Sequence, residues 1–125
     1  MIFARRVFLI AGIYGLIVLL PLYFLEERTG LDFPPPITHP EYYYGFVGVA
    51  VAWQVLFLIL SRDPARYRPI MIPAIVEKTS FGIAALVLFW QQRVSSFTAG
   101  AATIDFVFAV LFVLSYLRTA ARAQD

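Results

Sequence analysis

Residues Ile70–Trp90, IMIPAIVEKTSFGIAALVLFW, form an apolar run long enough to cross a bilayer, and Glu77 and Lys78 sit inside it. Lys78 is the only lysine in the chain. Backbone in hydrocarbon must satisfy its own hydrogen bonds, so such a run folds as a helix. Charged side chains at that depth are costly and are expected to face protein or water rather than lipid. Three further runs accompany it, Val7–Leu25, Tyr44–Ser61 and Ala99–Leu117. At ~1.5 Å per residue each covers most or all of the roughly 30 Å hydrocarbon layer. Barrel strands would be about half as long and would alternate in polarity, which these runs do not.

Composition agrees with that solvent. Hydrophobic residues make up 61% of the chain and charged residues 14%, where a soluble domain is nearer half and a quarter. The 12 Phe, 7 Tyr and 2 Trp suit a bundle with aromatic belts at its two interfaces. No cysteine is present, which excludes disulfides, thiolate metal sites and cysteine nucleophiles. A net charge of +2 is too small to point to nucleic acid. The length of 125 residues fits a single domain.

The arginines set an expected orientation. Arg5, Arg6, Arg62, Arg66, Arg68, Arg118 and Arg122 fall on one side of the four runs, and Arg28 and Arg93 on the other. The excess marks the cytoplasmic side, so both termini and the middle loop RDPARYRP are expected there, in a multi-pass protein of a bacterial inner membrane. Met1–Arg6 reads as a short tail, and the first run ends PLYFL with no small-residue cleavage site, so it is expected to be retained. Glu26–Glu41 is the longest hydrophilic connection; its Pro34-Pro35-Pro36 favours extended backbone, and Tyr42–Tyr44 reads as an interfacial anchor. The expected fold class is all-α, a four-helix transmembrane bundle with up-down connectivity forced by short loops.

Polar residues recur at depth. Counting from the cytoplasmic ends at ~1.5 Å per residue, Tyr14, Gln54 and Glu77 lie about 10 Å in, Lys78 just beyond, and Asp105 near 18 Å. Small residues share their stripes: Ala101 and Ala109 with Asp105, Gly82 and Ala85 with Lys78, Ala74 and Ala84 with Glu77. Such stripes let membrane helices approach closely, which turns these groups inward. An interior cluster of Glu77, Lys78 and Gln54, with Asp105 above it, would be a proton or cation relay or the polar floor of a ligand pocket. The competing reading is stabilising and topogenic. Pro73 suits a helix start, which would put Glu77 near the favourable end of the helix dipole. Side chains lean toward a helix's N-terminus, so Lys78 would then snorkel to cytoplasmic water, away from an outward-leaning Asp105.

Gln54 and Tyr14 are expected to make interhelical hydrogen bonds, worth about 0.6 kcal/mol each. Arg62, Arg66 and Arg68 could pair with anionic headgroups at about 1 kcal/mol apiece. Trp53 and Trp90 read as packing and interface residues. His39, with Glu26, Glu27, Asp32 and Glu41 nearby, reads as solvated rather than as a metal site. No cofactor or catalytic motif stands out.

Four spans, short loops, the basic RDPARYRP turn and a polar residue in the third span together resemble the small four-helix bacterial membrane proteins of the DoxX-like type. The likeness covers the whole chain at the level of architecture and carries no functional residue across. It implies a partner rather than a reaction, since some such proteins accompany respiratory or redox complexes. The lack of a catalytic motif and loops too short for an active-site domain make the same reading the leading expectation: an accessory or structural subunit that packs with lipids and with other membrane subunits or itself. The residues themselves offer a small transporter or proton-coupled carrier using Glu77, Lys78 and Asp105. An enzyme acting on lipid or quinone would need a lateral cleft lined by the same groups.

Overall fold

A computed structural model describes residues 2–120. Among them the chain is wholly helical: α1 (Ile2–Leu19), α2 (Glu26–Asp32), α3 (Pro40–Arg62), α4 (Met71–Trp90) and α5 (Ser96–Arg118), with 3-10 turns at Leu20–Phe24 and Arg68–Ile70. Four segments are long and apolar enough to cross a membrane: Ile2–Phe24, Pro40–Arg62, Arg68–Trp90 and Ser96–Arg118. No more than 33% of the most apolar window in any of them is buried within the molecule. The large side chains left outside, Phe24, Trp90 and Phe97 among them, are tolerable only where the surroundings are themselves apolar.

Two expectations about local structure are corrected. The connection after the first span is not loop throughout, because Glu26–Asp32 folds as a fifth helix. Glu26 and Glu27 in its first turn complement the helix dipole, and Arg28 Nε donates to Asp32 Oδ2 at 3.1 Å one turn on. Pro34 then stops it, since the residue before a proline avoids helical backbone and Phe33 has already left it. Arg5 and Arg6, read as a preceding tail, belong to α1, and Arg62 and Arg118 are the last residues of their helices. Arg122 lies outside the described residues.

Proline and serine fix two of the helix starts. Pro40 occupies the first turn of α3, where a missing N–H costs nothing. Ser95 Oγ accepts from the Thr98 N–H at the start of α5. Tyr43 and Tyr44 lie inside α3 and reach back to the preceding segments. Tyr43 donates to the Leu22 carbonyl at 2.7 Å, and Tyr44 donates to Glu26 Oε2 at 2.9 Å.

The helices pack as two pairs. α1 lies along α3, α4 lies along α5, and the pairs are joined chiefly through α1 and α5, while α3 and α4 share no extensive contact. All four long helices meet in one core made by Ala4, Val7, Phe8, Phe57, Met71 and Phe112 with their neighbours. The Phe8 and Phe112 rings stack at 4.3 Å, and Phe57 meets Phe112 edge-on at 5.1 Å. The α1–α3 seam is close at Gly12, where a Cβ would lie 3.0 Å from the Gln54 carbonyl oxygen, and Gly15 leaves the room that the Gln54 side chain occupies.

The same end is fastened by arginines. Arg68 Nε donates to the Tyr116 carbonyl at 3.1 Å while its guanidinium lies 3.7 Å from the Tyr116 ring centre, and Arg118 sits 4.6 Å over Phe3. Arg68 thus ties the start of α4 to the end of α5. Arg62 and Arg66 remain exposed.

Candidate intramembrane polar site

On α4 the buried stripe is Met71, Ala74, Lys78, Gly82 and Ala85. Its spacing of three and four residues turns Lys78 inward. On α5, Ala102 and Ala109 are buried on either side of Asp105. Small residues on both helices allow close approach; a Cβ on Gly82 would already meet Phe106 at 2.9 Å.

Between the two helices the Lys78 ammonium is held by both carboxylates. Its Nζ lies 3.7 Å from Asp105 Oδ1 and 3.9 Å from Glu77 Oε2. The side chains are 6% (Lys78), 16% (Asp105) and 21% (Glu77) exposed, so Lys78 does not snorkel to water as its position on α4 suggested. Two rings complete the enclosure, Phe57 at 5.4 Å and Phe108 at 5.6 Å from the ammonium. Attraction of one cation to two carboxylates and two ring faces in a poorly screened interior outweighs the lean of the side chain toward its helix start.

One cation serving two carboxylates is an unequal arrangement. Glu77 Oε2 is buried and accepts no hydrogen bond; Lys78 approaches it at the longer distance of 3.9 Å. Glu77 also stands at the edge of the α4 stripe, beside exposed Ser80 and Phe81. There it lines a groove of about 650 Å³ between α3 and α4, together with Glu41, Tyr42, Phe46, Trp53 and Phe81. Phe46 and Phe81 face each other across it at 6.5 Å between centroids.

Of the residues expected at this depth, Glu77, Lys78 and Asp105 come together, while Gln54 and Tyr14 are placed elsewhere. Gln54 Nε2 donates to the Ala50 carbonyl of its own helix at 2.9 Å, in place of the expected bond between helices, and its buried Oε1 is unpartnered against Gly15. Tyr14 packs on Phe108 with 5.6 Å between ring centres, which puts it behind a ring that encloses Lys78. The groove residues were not anticipated. A signal was present, because Tyr42, Phe46, Val49 and Trp53 repeat at steps of four, three and four on one face of α3.

The polar loop groups disperse. His39 pairs with Glu41 at 3.2 Å, Arg28 with Asp32, and Glu26 with Tyr44. No three His, Asp or Glu side chains converge among the described residues. Comparison with protein-family models, curated proteins and solved structures finds no match for the chain.

Proposed function

We propose that the protein is a small proton-linked carrier of the bacterial inner membrane, with Glu77, Lys78 and Asp105 as its exchange centre. The observation that carries this reading is the single ammonium shared by two carboxylates, one of which lines a lateral groove. A cation or proton arriving at Glu77 can replace Lys78 there while Lys78 keeps Asp105, which takes the site from one net negative charge to none. Groups of this kind inside membranes mark ion pathways. In the proposed setting the four spans run up and down in chain order with both termini in the cytoplasm. That orientation draws on the arginine asymmetry and on the Arg118–Phe3 and Arg68–Tyr116 contacts. The test is a proton-concentration jump across reconstituted vesicles on a solid-supported electrode. Wild type gives a transient current that Glu77→Gln and Asp105→Asn each abolish; currents equal to those of empty vesicles overturn the reading.

A second reading, an accessory subunit of a larger membrane complex as the DoxX-like resemblance implies, draws on the shallow contact between α3 and α4, where one partner helix could seat. Native mass spectrometry from mild detergent separates the two: a stoichiometric heteromer favours the subunit, a bare monomer the carrier.

A further inference from the structure

We infer that the α3–α4 groove is a binding site for a lipid-soluble monovalent organic cation, held between aromatic walls with its charge against Glu77. The inference rests on the carrier reading of the same centre and names the class of its substrate.

Three features select that occupant. The groove lies between two helices long and apolar enough to cross a membrane that share little packing, so an occupant lies against hydrocarbon along its open side. Its walls carry the rings of Tyr42, Phe46, Trp53 and Phe81, and ring faces attract organic cations within about 6 Å of their centres. Its charged lining is Glu41 and Glu77 and includes no basic side chain. Glu41 and Trp53 are separated by about 18 Å of helix rise, so acidic groups lie at the outer mouth and along the inner part. An anion would meet like charge along that length. A neutral ligand would gain nothing from the uneven charge of the centre. An organic cation answers that charge: it supplies the second positive charge that two carboxylates sharing Lys78 lack, and it leaves Lys78 to Asp105.

The test uses the full chain in nanodiscs, with Trp90→Phe so that Trp53 is the only tryptophan. Tetraphenylphosphonium is titrated while Trp53 emission is followed, with tetraphenylborate as a probe of the same shape and opposite charge. Saturable change with the cation alone is expected. Glu77→Gln should weaken it by roughly tenfold or more, which is the loss of one charge pair. Val49→Phe, which narrows the groove at a position away from the triad and adds no tryptophan, should weaken it with no change in thermal stability. Equal response to both probes, or binding indifferent to Glu77→Gln and Val49→Phe, overturns the inference. So does a cross-linked homodimer through Val49→Cys that the cation fails to suppress, because a second copy then fills the groove. Proton-jump currents without cation binding remove the substrate class alone. Cation binding without currents supports the site and removes the carrier reading.

Discussion

Replacing Lys78 by methionine tests whether the triad is held by charge or by packing. Methionine keeps an unbranched stem beside Phe57 and Phe108 and removes only the ammonium. What remains is Asp105 and Glu77, mostly buried, whose shared counter-charge at 3.7 and 3.9 Å is gone. Each lost attraction is on the order of 4 kcal/mol at an effective dielectric constant of about 20. Lys78 no longer has to be stripped of water, which offsets part of that loss. Removing one member of a buried pair therefore costs about 3–5 kcal/mol net. Neutralising the whole set should recover most of it, because fully neutral replacements of buried ion groups are often as stable as the original. The triple variant Lys78→Met, Glu77→Gln, Asp105→Asn is thus expected to be more stable than Lys78→Met alone. Glu77→Gln by itself should cost less than Lys78→Met, since Lys78 retains Asp105. Reversible unfolding in mixed micelles, followed by tryptophan emission, ranks all four proteins. The reasoning fails if Lys78→Met lies within about 0.5 kcal/mol of wild type, the range of ordinary surface changes. It fails equally if the triple variant is no better than the single one.

Gly15→Ala should destabilise by about 1–3 kcal/mol through overpacking, since its Cβ would collide with the buried Gln54 side chain. Adding Gln54→Ala should relieve it, and the same unfolding assay reads both. Arg68→Ala should cost about 1–3 kcal/mol, for it loses both the bond to the Tyr116 carbonyl and the stacked ring; Arg66→Ala, at an exposed site, should cost clearly less. Because the chain has no cysteine, single cysteines report orientation cleanly. A membrane-impermeant maleimide on intact cells should label Leu31→Cys, and should label Arg66→Cys only after the membrane is broken.

The spans were legible in sequence because length and hydropathy answer to the bilayer alone. Their ends were less so. Pro40 reads as a breaker but serves as a helix opener, so α3 begins four residues before Tyr44, and α1 takes in Arg5 and Arg6. The short α2 was hidden by the three prolines that follow it, although Glu26, Glu27 and the Arg28–Asp32 spacing carry its signature. At the candidate site, small-residue stripes correctly turned Lys78 and Asp105 inward. Of the two readings open for the Lys78 ammonium, the snorkelling one does not hold, since the lean toward a helix start is a local rule. Two carboxylates and two rings from three helices override it. Gln54 was grouped with the triad by depth, yet depth says nothing of azimuth; Gly15 on α1 decides where that amide goes. Which helices pair is likewise a matter of side-chain fit, which a run of Val, Leu and Phe does not encode legibly.

The loose seam between α3 and α4 changes what admission to the interior requires. In a tightly wound bundle a guest must first prise helices apart and forfeit packing between them. Here the two long helices on either side of Glu77 have little mutual packing to forfeit. What a newcomer displaces is solvent, in this case acyl chains that exchange rapidly and leave no hole behind. On the proposed reading entry is therefore chemical before it is mechanical: molecules would be sorted by their charge and their solubility in oil, with little movement of the helices.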